Sequence, residues 1–251
     1  MICLTLDKLG VEYGKTTVLD GISAKISGEQ IVSVIGHNGS GKTTLLKAIA
    51  GLIKYRGSVR LDENGQTLSS SQMRYVPQLS SVQSTLTVFE MVLLGLVNNL
   101  TWRVTPEIFN KVDSVLHALE INELSHTPVN ELSGGQRQLV FLAQAFVSEP
   151  KLLLLDEPTS ALDLRHQLIV MNAVKEYTKR TKAITLVIMH DLLTAARFSQ
   201  QILLLEKGRL SILDEPELVL QAQRLEKIYN VTVSIEKTAS DFLNVVPLKP
   251  I

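Results

Sequence analysis

The chain has 251 residues, 45% of them hydrophobic, and its 25 Lys and Arg balance 25 Asp and Glu. That length and apolar content suffice for a sizeable core, and neutrality excludes a general electrostatic pull toward nucleic acid, so any bound polyanion must be held by a few placed groups. The single cysteine, Cys3, excludes an intrachain disulfide and reads as a small apolar residue in a reducing compartment.

Residues 1–14 alternate apolar and polar side chains and lack the basic region and apolar stretch of a signal peptide. Strands bounded by glycine are predicted at 18–25 and 30–35. The second, Gln-Ile-Val-Ser-Val-Ile, has the short, β-branched composition of a buried parallel strand. A glycine-rich loop follows, then a predicted helix over 43–52 that stops at Gly51 or just beyond. Short strands are predicted at 57–62 and 73–77. From 87 to about 147 the periodicity is helical: Phe89, Val92, Leu93 and Leu96 share one face, and Ile108, Val112, Val115, Leu116 and Leu119 share another. Buried-strand composition returns at 151–156 and 183–189, with a helix over 165–180 between them. Segments 202–206 and 209–213 form a hairpin around Lys207-Gly208. From 218 onward the pattern predicts a short helix and strands at 232–236 and 243–247. No run approaches the roughly 18 uninterrupted apolar residues of a membrane helix, so the chain is expected to be soluble and cytoplasmic and to meet a membrane only through a partner.

The run Gly36-His37-Asn38-Gly39-Ser40-Gly41-Lys42-Thr43 fits G-x-x-x-x-G-K-[ST], set between a strand and a helix. Such glycines let main-chain N–H groups turn inward at phosphate oxygens, and the following helix adds the positive end of its dipole. Lys42 would reach the β- and γ-phosphates, the Thr43 hydroxyl would ligate Mg²⁺, and Thr44 completes the candidate stretch. Further on, Leu152-Leu153-Leu154-Leu155 ends in Asp156 and Glu157. Taken alone, the two carboxylates also suit a solvated acidic turn before Pro158. Paired with the phosphate loop, Asp156 would hold Mg²⁺ from beyond its direct ligands or through water, and Glu157 would act as general base toward the attacking water.

Leu132-Ser133-Gly134-Gly135-Gln136, ahead of that acidic strand, resembles the signature motif of the ATP-binding cassette (ABC) ATPases. Other motifs of the family follow in order: Tyr13 resembles the aromatic residue that stacks on adenine, Gln78 the Q-loop, Ser160-Ala161-Leu162-Asp163 the D-loop, and His190 the switch histidine. The resemblance covers nearly the whole chain. It implies an α/β fold: a P-loop NTPase (RecA-like) core with an N-terminal antiparallel β subdomain and an inserted α-helical subdomain. The expected division is 1–86 with 148–217 as the nucleotide-binding core, 87–147 as the helical subdomain, and 218–251 as a C-terminal extension. It implies a homodimer, head to tail, with each ATP between one copy's phosphate loop and Ser133, Gly135 and Gln136 of the other. Gln78 would sense the γ-phosphate, Mg²⁺ or water, and His190 would contact the γ-phosphate and order Glu157. His117, His126 and His166 have no metal spacing, and His37 gets no catalytic role. Relatives commonly carry Arg where this chain has Gln144 and Pro where it has His37.

The resemblance further implies a separate integral-membrane permease dimer, a periplasmic or surface substrate-binding protein beyond it, and a place at the cytoplasmic face of the inner membrane. No nucleic acid partner is expected. The segment 87–95 and the tail with Glu226, Tyr229, Val231 and Val245-Val246-Pro247 resemble ATPases of iron–siderophore, haem and cobalamin uptake. ATPases of zinc or manganese importers, and of exporters or lipid-extraction systems, are the alternatives. A groove bordered by residues 79–90 is expected to take a coupling helix of the permease.

Overall fold

The computed structural model describes residues 1–78, 84–99, 104–160, 162–238 and 242–251. Strands β1 (Ile2–Tyr13) and β2 (Thr16–Ser27) pair antiparallel, with Cys3 opposite Ser27 and Tyr13 opposite Thr16. The alternation at the N-terminus is thus a strand with Ile2, Leu4 and Leu6 on its buried side. The chain then passes through β3 (Gln30–Ile35) and helix α1 (Lys42–Ile49). It returns as β4 (Arg56–Glu63) and the two-residue β5 (Gln66–Thr67), giving the sheet order β2-β1-β4-β5. Helix α1 stops at Ala50, short of the predicted end, and Gly51 follows at φ +70°.

After β6 (Met73–Val76) come α2 (Val88–Leu93), α3 (Pro106–Ala118) and α4 (Gly134–Val147). Local chemistry starts each helix. Thr87 with Glu90 and Ser133 with Gln136 form capping boxes, and Thr105 caps α3 ahead of Pro106. Helix α2 buries Val88, Met91 and Val92, while Phe89 and Leu93 of the predicted face are half-buried but pack against the same core, so that face holds and is widened by Val88 and Met91. In α3 the predicted face holds at Val112, Val115 and Leu116. Gln144 donates from Nε2 to the Met91 carbonyl at 2.8 Å and so ties α4 to α2.

Next come β7 (Leu152–Asp156), α5 (Leu164–Thr181), β8 (Ile184–Ile188), α6 (Leu192–Phe198), β9 (Gln201–Glu206) and β10 (Arg209–Asp214). Helix α6 was absent from the sequence prediction; Asp191 caps it by accepting from the amides of Leu193 and Thr194. A six-stranded sheet runs β10-β9-β3-β8-β7-β6, parallel except for β10 at its edge. Alternate residues feed two cores. Ile31, Ile35, Leu153, Leu155, Ile202 and Leu204 meet the helices. Val32, Val34, Leu152, Leu154, Leu203 and Leu205 meet α1 and the antiparallel sheet. Burial on both faces explains the unbroken apolar runs.

The chain ends with α7 (Pro216–Val219), α8 (Ala222–Tyr229) and the antiparallel pair β11 (Val231–Lys237) and β12 (Leu243–Pro250). The Arg197 guanidinium, on α6, lies 5.3 Å from the ring centroids of Phe198 and Phe242, fastening this hairpin to the body. Among the described residues no helix is long and apolar enough to cross a membrane.

Candidate functional site

The C-terminal ends of β3, β6, β7 and β8 deliver, in turn, the glycine loop, Gln78, Asp156 with Glu157, and His190. Parallel sheets present ligand groups at this edge. Gly36 leaves β3 at φ +148°, and a Cβ there would sit 2.3 Å from the Leu205 carbonyl oxygen, so the loop closes against β9 only with glycine. Lys42, first in α1, turns back and donates to the carbonyls of Gly36 at 2.8 Å and His37 at 3.1 Å. It is buried, which lowers its pKa; the charges of Glu157 and Asp156 oppose that shift in part.

Asp156 is only 2% exposed. Its Oδ1 accepts from the Thr43 hydroxyl at 3.1 Å, and its Oδ2 accepts from the Tyr75 hydroxyl at 2.9 Å. Glu157 takes a left-handed backbone, φ +51°, uncommon for a side chain of this kind. That turn places its carboxylate between two partners: Gln78 donates from Nε2 to Oε2 at 2.7 Å, and His190 bonds through Nε2 to Oε1. Glu157 and His190 line a cavity of about 690 Å³ together with Val18 and residues of the loop between Asn38 and Thr44; Asp156 and Gln78 stand behind that wall, bonded to Thr43 and Glu157.

The donor set fits the groups implied by the sequence. A hydroxyl and a carboxylate are hard oxygen donors suited to Mg²⁺. A buried ammonium whose hydrogen bonds go to main-chain carbonyls rather than to a carboxylate suits a polyphosphate.

Other candidate residues stand apart from this cavity. Tyr13 ends β1 at the first hairpin turn and is 53% exposed. Ser133 and Gln136 satisfy one another: Oγ accepts from the Gln136 amide at 3.2 Å, and Gln136 Oε1 accepts from the Ser133 amide at 2.9 Å. That leaves the Gly134 and Gly135 amides at the open helix start, on an exposed surface. Asp163 caps α5 by accepting from the His166 amide at 2.9 Å. Of the groove predicted at 79–90, residues 79–83 lie outside the described residues, as does Ala161 of the D-loop motif.

Sequence reading missed Tyr75 and Gly208. Lys207 and Gly208, both at positive φ, make the tight turn between β9 and β10. The Gly208 amide donates to the Ser40 carbonyl at 3.2 Å, and its own carbonyl accepts from the Asp20 amide at 2.9 Å. The turn therefore braces the phosphate loop from behind. The dipeptide revealed a turn, but nothing local to it revealed the loop it supports. A Cβ on Gly208 would lie 2.2 Å from the Val18 carbonyl oxygen. Gly208→Ala is expected to cost about 2–4 kcal/mol in denaturant unfolding. It should also weaken ATP binding in calorimetry, because the loop and the turn must part.

Residues 19–160 match the family model for ABC transporters. An ABC transporter ATP-binding protein of Methanocaldococcus jannaschii is 34% identical over 242 residues, 94% of either chain. The hemin import ATP-binding protein of Pseudomonas fluorescens is 36% identical over 247 residues, 93% of this chain and 95% of its own. Among solved structures, an ABC transporter described as of metal-chelate type, in an inward-facing conformation, superposes with a TM-score of 0.84 at 26% identity. That match covers 99% of this chain and 98% of the other.

Proposed function

Because this chain belongs to the ABC transporter family and is one of its ATP-hydrolysing subunits, we propose that two copies close head to tail on Mg-ATP and drive uptake of an iron chelate, haem or cobalamin through a separate permease. The observation that carries the reading is Glu157, held at a strained backbone between Gln78 and His190 on the wall that faces the phosphate loop.

The loop amides from Gly36 to Thr44 and the Lys42 ammonium bind the phosphates, and Tyr13 stacks on the adenine. Thr43 and Asp156, with Gln78 nearby, would hold Mg²⁺, which would supply charge neutralisation at the phosphates. Glu157 takes a proton from the attacking water. Gln78 and His190 orient it, and on nucleotide binding they exchange a bond to Glu157 for contacts with the γ-phosphate, Mg²⁺ or water. Each cavity is completed by Ser133, Gly135 and Gln136 of the second copy, whose open helix start is a ready anion site, with Asp163 at the seam.

The import reading draws on the hemin importer and the metal-chelate transporter among the relatives. The permease would hold this subunit at the cytoplasmic face of the inner membrane and itself receive cargo from a periplasmic or surface binding protein. Its coupling helix would lie in a groove of about 320 Å³ between Pro77 and Gln144 on α4, with Leu94 and Val97 exposed at its lip; among the described residues this groove is lined by none of the expected border 79–90. In this reading residues 87–147 move as one lobe against 1–86 with 148–217, and 218–251 form an appendage.

Ser133→Arg tests the completed site. Its nucleotide affinity by calorimetry should match that of the unmodified chain, while steady-state ATP turnover falls at least about tenfold as the anion site is blocked. Full turnover in this variant would refute closure by the second copy.

A further inference from the structure

We propose that Tyr75 is the positioning residue that fixes Asp156 for Mg²⁺, by holding one carboxylate oxygen so that the other stays on Thr43. This rests on the Mg-ATP reading above. Burying a carboxylate as deeply as Asp156 is costly unless its oxygens are hydrogen-bonded. Its two side-chain anchors come from different elements: Thr43 from the first turn of α1, Tyr75 from β6.

The strand register explains the second anchor. Tyr75 pairs with Leu154 on the parallel neighbour β7, and Leu154 and Asp156 share a face of that strand. Asp156 lies two residues further on, roughly 6.6 Å along the strand, which is within the span of a phenol. Shorter side chains at 75 would stop before it. Tyr75 packs against the same core as Leu154 and α1, so its ring is fixed before the hydroxyl makes its bond.

The position also links two parts of the site. Tyr75 stands three residues before Gln78, so its hydroxyl ties the strand that carries Gln78 to the carboxylate that would hold the metal. Thr43 donates its proton to Asp156 and also lines the cavity, so its hydroxyl oxygen keeps lone pairs with which to accept. With Oδ2 pinned by Tyr75, the carboxylate has one orientation instead of several.

Tyr75→Phe removes the hydroxyl and keeps the ring. In the full chain, binding of a fluorescent ATP analogue in EDTA should match the unmodified protein, while the melting temperature should fall by several degrees because a buried carboxylate loses a donor. The Mg²⁺ concentration for half-maximal metal-dependent fluorescence should rise about tenfold, the usual effect of losing a group that orients a metal ligand. Mn²⁺ electron paramagnetic resonance of the nucleotide complex should show the same loss of affinity. A Tyr75→Phe midpoint equal to that of the unmodified chain overturns the proposal. If the unmodified chain itself binds the analogue with no response to Mg²⁺, the metal reading fails, and the role of Tyr75 fails with it.

Discussion

Glu157→Gln is expected to bind Mg-ATP as tightly as the unmodified chain and to turn it over at least about 100-fold more slowly, the usual contribution of a positioned general base. Glutamine keeps the size of glutamate and can still accept from Gln78, so the cavity survives. It cannot take a proton from water. The loss should appear in the turnover number with little change in the Michaelis constant, the pattern of an interaction made only in the transition state. Steady-state phosphate release measures it. Turnover within a few-fold of the unmodified rate would remove Glu157 from the role of base.

Lys42→Ala should act at the earlier step and abolish measurable nucleotide binding in calorimetry. The ammonium is buried, and in the structure it bonds the Gly36 and His37 carbonyls across the loop. It is therefore a charge already removed from most of its water and aimed into the loop. Burial lowers its pKa, and an arriving triphosphate would raise that pKa again, so binding should favour the protonated lysine. Losing a charge-assisted hydrogen bond of this kind costs about 1.5–3 kcal/mol. The Gly36 and His37 carbonyls left without that donor add to the loss. A variant that binds ATP normally would mean that the loop amides alone hold the phosphates.

Much of the site was legible because its signals are local. The glycine loop must lie between a buried strand and a helix, and β3 and α1 supply both within a short stretch. The acidic pair stands at the end of β7, whose run of leucines is buried on both faces. The links between these pieces were legible only through the family resemblance or not at all. Glu157 and His190 meet across 33 residues, and Tyr75 and Asp156 across 81; no spacing along the chain encodes either pairing. Helix α6 escaped notice because it is seven residues long and depends on its Asp191 cap more than on an apolar stripe. The predicted stripe on α2 holds at Val92 and, beyond the helix, at Leu96, with Phe89 and Leu93 packed at its edge; Val88 and Met91 widen it, because so short a helix leaves its rotation to tertiary packing. β5, two residues long, has no periodicity to read.

The central claim is that ATP completes its own site by joining two copies. Light scattering of the Glu157→Gln protein, which should trap the bound state, tests it most directly. The 27.7 kDa chain is predicted to double in mass with Mg-ATP, to stay single with Mg-ADP, and to stay single with Mg-ATP once Ser133→Arg is added. A chain that remains single under saturating Mg-ATP, while the unmodified protein hydrolyses ATP at full rate under the same conditions, would contradict the account.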